Sequence, residues 1–263
     1  MADYPHKIQR IIDEGYEFNF GDYISKGFNL VQKNLGGYIA FFLLISIGSL
    51  IVGLIPFIGA LALWVLTPAL SIGPFHVAHR LDKGEEPSFN DFFKGTDKLG
   101  DLFVTMLLTA LIIAACVIPA MLVFGFSTFT MMDTYGGAYG DVDYSGMGTA
   151  VITMFICMIP AMYFGISFMW APQLVWFYNM RPWDAMMASR KLIGRNFWIF
   201  LAFIFVAGII ASLGILLLFI GLLFTYPAMI CMQYAAFADV TELLSEEDDN
   251  AEDRILDHFA PTE

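Results

Sequence analysis

Residues 35–79 and 102–132 of this chain contain no Asp, Glu, Lys or Arg. A helix crosses the hydrocarbon core of a bilayer in about 20 apolar residues, so each run is long enough for at least one crossing. Soluble domains are about 45–50% apolar and about 25% charged. This chain is 58% hydrophobic and 14% charged, with a mean hydropathy of +0.68. Inside a bilayer every backbone polar group must be paired within the chain, and helices do this locally. The sequence therefore predicts an all-α membrane protein.

Charge divides the chain further. The net charge is −12, but residues 241–263 hold nine acids and one Arg, so most of the imbalance lies in an acidic tail. Three regions follow: a cytoplasmic N-terminal segment (1–21), a membrane domain (22–240) and an acidic cytoplasmic tail (241–263). The first 21 residues mix both signs and lack the apolar core of a signal peptide. Cys116, Cys157 and Cys231 all fall in apolar runs and read as small core residues rather than a disulfide or metal framework.

Within the membrane domain, six spans are predicted at about 37–55, 59–79, 101–126, 149–178, 197–218 and 219–239. They pair into hairpin units at about 22–81, 88–180 and 182–240. An amphipathic lead precedes each unit. In the first lead, residues 22–36, Ile24, Phe28, Val31 and Leu35 share one face, while Lys26, Asn29 and Lys33 lie towards the other. Such a helix fits the membrane interface. Ser88 begins a short second lead, and residues 182–196 form the third.

The outer units echo each other. Leu30-Val31-Gln32-Lys33-Asn34 corresponds to Leu192-Ile193-Gly194-Arg195-Asn196, and Phe57-Ile58-Gly59 to Phe219-Ile220-Gly221. Pro68 and Pro227 correspond after a slip of three, and Pro172 has a similar place in the middle unit. These three prolines are expected to bend the second helix of each unit. With six spans all thirteen Lys and Arg fall on one side. The positive-inside rule puts that side, and both termini, in the cytoplasm. Repeats that all begin there are parallel, related about the membrane normal.

Chemical motifs are sparse. Lys33-Asn34 and Arg195-Asn196, with Arg190, are the candidate lipid headgroup contacts on the cytoplasmic face. The simpler alternative is that each Asn caps a helix and each cation anchors the interface. His76 and His79 share a helix face, but two ligands fall short of a metal site. Asp141, Asp143, Ser145 and Gly146 resemble the opening of a calcium loop, yet its twelfth position is Ile152 rather than Glu. No acid or base lies deep in a span, where pumps and proton-coupled transporters usually carry one. No catalytic, cofactor or metal site is therefore expected. In the tail, Arg254-Ile255-Leu256-Asp257-His258-Phe259 is a short apolar cluster suited to a protein partner. Nothing points to nucleic acid.

The segment Tyr23-Ile24-Ser25-Lys26-Gly27-Phe28, the turn Ile55-Pro56-Phe57-Ile58-Gly59 and the loop Leu81-Asp82-Lys83-Gly84-Glu85-Glu86-Pro87 together resemble a broad group of uncharacterised bacterial multi-span integral membrane proteins. That group is similar to the membrane domain attached to some glycerophosphodiester phosphodiesterases. The resemblance implies a helical domain of the bacterial inner membrane with no established catalytic residues, and the enzymes' catalytic domain has no counterpart in these 263 residues. The expected role is non-enzymatic: a structural, lipid-interacting or accessory subunit whose partners are membrane lipids and a protein met by the acidic tail. The alternative is a transporter or channel for a small or amphiphilic solute, with its path at the proline-broken helices.

Overall fold

The computed structural model describes residues 4–135, 145–216 and 221–245. Their regular structure is entirely helical. In chain order it consists of α1 (His6–Glu14), α2 (Phe20–Lys33), α3 (Leu35–Gly53), α4 (Ile58–Asp82), a 3-10 helix (Phe89–Lys98) and α5 (Leu99–Tyr135). Then come α6 (Ser145–Ser167), α7 (Ala171–Tyr178), α8 (Pro182–Arg195), α9 (Phe197–Leu216) and α10 (Leu222–Val240). Five stretches are long and apolar enough to cross a membrane: Leu35–Gly53, Ile58–Asp82, Phe89–Ser127, Ala150–Tyr178 and Phe197–Ile215. The sixth expected span, α10, has 19 residues but is diluted by Thr225, Tyr226, Gln233, Tyr234 and Asp239. Twelve of its residues are buried. A helix that faces protein on most sides does not need a lipid-like surface.

Two expectations change in detail. The fourth span is not one continuous helix. A turn at 168–170 separates α6 from α7, and Pro172 stands in the first turn of α7. Proline loses nothing there, because the first helical N–H groups have no partner in any case. Pro172 thus starts a helix rather than bending one, whereas Pro68 and Pro227 lie inside α4 and α10. The second lead is a 3-10 helix, opened by a capping box in which Ser88 and Asp91 serve each other's backbone. One helix was not expected at all: α1 docks through buried Ile8 and Ile11.

Each lead is clasped by the hairpin before it. The 3-10 helix lies along α4, and its Phe92 stacks on Phe41 of α3 with ring centroids 4.8 Å apart. α8 lies along α7, where Ser189 donates to the Ser167 carbonyl at 2.7 Å and accepts from the Trp170 amide at 3.2 Å. α2 returns to the last hairpin. It lies along α10, Tyr23 donates to Asp239 at 2.6 Å, and Phe20 meets Phe203 of α9 edge-on. The fourth and seventh residues of α3, α5 and α9 are buried in every case: Tyr38 and Phe41, Leu102 and Thr105, Phe200 and Phe203.

Small residues allow these approaches. A Cβ on Gly27 would strike the Met232 backbone, one on Gly73 the Phe92 carbonyl, and one on Gly95 the Ala69 carbonyl. The core formed this way sits at the end of the bundle that carries the leads. Towards the other end, large apolar side chains stay uncovered: Leu54 is 82% exposed, Phe57 90% and Phe126 71%.

Gly73→Ala is expected to destabilise the protein by about 1–3 kcal/mol, the usual range for forcing a methyl into a packed contact. Gly208→Ala, which meets open space, is expected to cost nothing. Thermal unfolding of both variants in detergent measures the difference.

Candidate functional site at the basic rim

The last four carbonyls of a helix have no partner within it and carry the negative end of its dipole. At the lead end, three cations answer that need. Lys33, the last residue of α2, donates to the Leu81 carbonyl near the end of α4 at 3.2 Å. Lys98, the last residue of the 3-10 helix, donates to the Val175 and Trp176 carbonyls near the end of α7 at 3.3 and 2.9 Å, and to the Asn179 side chain. Arg195, the last residue of α8, donates to the Ile12, Asp13 and Glu14 carbonyls at the end of α1 at 2.8, 3.2 and 3.0 Å. The end of α10 is held instead from α1, where Lys7 donates to the Glu242 carbonyl at 2.7 Å and Arg10 pairs with the Glu242 carboxylate at 2.6 Å.

The two Asn residues that follow Lys33 and Arg195 adopt nearly the same backbone angles, φ −141 and ψ 44 at Asn34, φ −120 and ψ 39 at Asn196. The Asn34 side chain accepts from the Gly37 amide at 3.3 Å and so caps α3. Asn196 donates to the Tyr16 carbonyl at 3.3 Å. Tyr16 itself donates to the Leu192 carbonyl at 2.7 Å. Burial pushes its hydroxyl up to about 12, so it keeps its proton at neutral pH. The five residues expected at the headgroups therefore divide: Lys33, Asn34, Arg195 and Asn196 make protein contacts at the rim, and exposed Arg190 lies over the Phe164 ring at 5.6 Å.

A chain of polar groups crosses the buried part of the rim. His79 Nδ1 lies 3.0 Å from the Tyr234 hydroxyl, and that hydroxyl lies 3.1 Å from Asp82. Asp82 pairs with Lys26 at 2.7 Å. The chain thus joins α4, α10 and α2. It ends at a pocket of about 600 Å³ lined by Lys26, Asn29, Leu30, Gln32, Lys33 and Asp82. A second pocket of about 370 Å³ is lined by Tyr4, Pro5, His6, Tyr178, Asn179, Met180, Arg181 and Asp184. Neither is lined by Pro68, Pro172 or Pro227. Nearby, Arg80 bridges Glu85 at 2.7 Å and Asp91, tying the 3-10 helix to the end of α4. The Arg80 hydrogen bond holds the Glu85 carboxyl below its ordinary value.

The histidine pair diverges: His79 faces Tyr234 and Phe177, whereas His76 sits edge-on to Trp176. Among the described residues no three His, Cys, Asp or Glu side chains come together as metal ligands. The calcium-like motif at Asp141 and Asp143 and the tail cluster at 254–259 lie outside the described residues. Neither Lys98 nor Tyr234 stood out in the sequence, and Asp82 did so only as part of the loop after His79. Lys98 was legible by analogy, because it closes the second lead as Lys33 closes the first. Tyr234 carried no such signal. Comparisons with family models, with curated proteins and with solved structures found no match.

Tyr234→Phe keeps the ring and removes the hydroxyl shared by His79 and Asp82. It is expected to lower stability by about 1–3 kcal/mol, the cost of losing hydrogen bonds to a buried imidazole and a carboxylate, read by thermal unfolding. Arg195→Gln is expected to speed amide hydrogen exchange in α1 while leaving α4 protected. Equal exchange in both forms would mean that Arg195 does not hold α1.

Proposed function

We propose that this chain is a six-pass, non-enzymatic protein of the bacterial inner membrane that acts as a lipid-interacting structural or accessory subunit, of the kind its family resemblance implies. One observation carries this reading. Packing is concentrated at the basic rim, while the far halves of α3, α4, α5, α6 and α9 leave large apolar side chains uncovered. Leu50 and Ile51, Leu122, Phe155 and Ile159, and Phe205 form surfaces that acyl chains would cover. Rim cations engaged with helix ends suit a scaffold better than a catalytic centre.

Six passes are supported by the contacts of Lys7 and Arg10 with Glu242, which bring the two ends of the described chain to one face. An even number of crossings gives that arrangement, with α10 as the sixth. Three parallel units are supported by the matching buried positions in α3, α5 and α9 and by the clasp that each hairpin makes on the following lead. Charge segregation supports a cytoplasmic rim. There the basic rim faces headgroups and the acidic tail faces a protein partner.

Mild extraction from native membranes followed by mass spectrometry is expected to find phospholipid held with the protein. Removing residues 246–263 and neutralising Lys33, Arg190 and Arg195 is expected to change what is retained. If every bound lipid and protein stayed the same, the proposal would lose its basis. Orientation has a separate check, in a form whose native cysteines are replaced. Phe57→Cys is expected to react with an impermeant thiol reagent applied outside cells, and Asp97→Cys only after lysis. The reverse pattern would overturn the orientation.

A further inference from the structure

The three cations that close the leads are not equally occupied. Lys98 and Arg195 each make three hydrogen bonds to groups at a helix end. Lys33 makes one, at 3.2 Å, and is the only one of the three that lines the 600 Å³ pocket. An ammonium has three donors, so Lys33 keeps capacity to spare. Asn29 and Gln32 line the same pocket, are exposed, and meet no side-chain partner among the described residues. Lys26, Asn29 and Lys33 recur at helical spacing along one side of α2. Leu30 is buried beneath them.

We propose that this pocket binds the phosphodiester of one phospholipid headgroup, with Lys33, Asn29 and Gln32 as its donors. The inference deepens the lipid-interacting reading and rests on it. Charge selects the class of ligand. Lys26 is matched by Asp82 at 2.7 Å, which leaves Lys33 as the one unmatched charge in the lining. A phosphodiester carries a single negative charge and balances it. A phosphate monoester carries nearly two and would face Asp82 and the carbonyl end of α4 with the excess. Position selects the source. Lys33 and Asn34 immediately precede α3, so the pocket lies where an apolar span begins, at the level of headgroups. Lys98 has no spare donor, and Arg195, which uses three of its five N–H groups, lines neither rim pocket; this makes the site specific to the first unit.

The test uses the full chain in nanodiscs of phosphatidylglycerol and phosphatidylcholine, with native mass spectrometry counting retained lipids. Wild type and Lys94→Gln, which alters a cation outside the pocket, are expected to retain one phospholipid that Lys33→Gln and the double variant Asn29→Ala, Gln32→Ala release about tenfold more readily, as loss of charge-assisted hydrogen bonds predicts. The double variant removes no described contact, so it remains informative if Lys33→Gln fails to fold. If both rim variants retain lipid as wild type does, this pocket is not the site, although the lipid-interacting reading stands. If no form retains lipid, that reading falls as well. Glycerophosphoglycerol is the soluble probe for the other source. Should it displace the lipid and bind as tightly alone, the occupant is a soluble phosphodiester and the headgroup assignment is overturned.

Discussion

Everything else in this bundle depends on the close approach of each lead to the hairpin that clasps it. Lipid tails are as apolar as Leu and Phe, so no hydrophobic force draws spanning helices together within the bilayer. What remains is dispersion, which needs contact, and hydrogen bonding, which needs alignment. Gly27 beneath Met232, Gly73 beneath Phe92 and Gly95 beneath Ala69 let backbones meet where a methyl would hold them apart. Ser189 plays that part between α8 and the turn joining α6 to α7, adding two hydrogen bonds to the contact. The aromatic rings of Tyr38, Phe41, Phe92, Phe200 and Phe203 then fill the space around these approaches.

The same end of the molecule must settle the polar ends of its helices. Cations on the leads do so, each reaching the terminal carbonyls of a neighbouring helix. The arrangement is regular in two places and altered in a third. Lys33 and Lys98 reach α4 and α7, the second helices of their own units, but Arg195 reaches α1. By repetition, Arg195 would reach the end of α10. Lys7 of α1 and Tyr178 hold that end instead, with Tyr178 donating to the Thr241 carbonyl at 2.7 Å. The N-terminal helix thus takes the cation that the proposed repeat would send to α10.

Much of the architecture was legible because a bilayer makes strong demands on sequence. Uncharged runs announced α3, α4, α5 and α9, and the paired echoes around Lys33-Asn34 and Arg195-Asn196 announced equivalent backbone turns. Small boundary shifts apart, those features stand. The sequence was less open about α10, whose Gln233 and Asp239 belong to a helix covered by protein rather than by lipid. It gave no warning of the break before α7, because Pro172 reads alike inside a helix and at its start. At the rim, His79 was visible as one of two histidines, but its partner Tyr234 stands 155 residues away. No local pattern encodes such a contact. Docking of α1 was hidden for a related reason: Ile8 and Ile11 are too few to mark a core until Arg195 is seen to cap the helix they belong to.

Closure of the cycle has a consequence for biosynthesis. The first lead leaves the ribosome long before its cradle, α10, and Tyr23 meets Asp239 across 216 residues. The second and third leads follow the hairpins that clasp them and can dock as soon as they are made. The first cannot. Until α10 is made, α2 has only the membrane surface on which to lay its apolar face. An amphipathic helix tolerates that wait, whereas a uniformly apolar one would enter the bilayer and a uniformly polar one would drift away. The mixed face of α2 is therefore suited to two successive environments: a lipid surface during synthesis and the last hairpin afterwards.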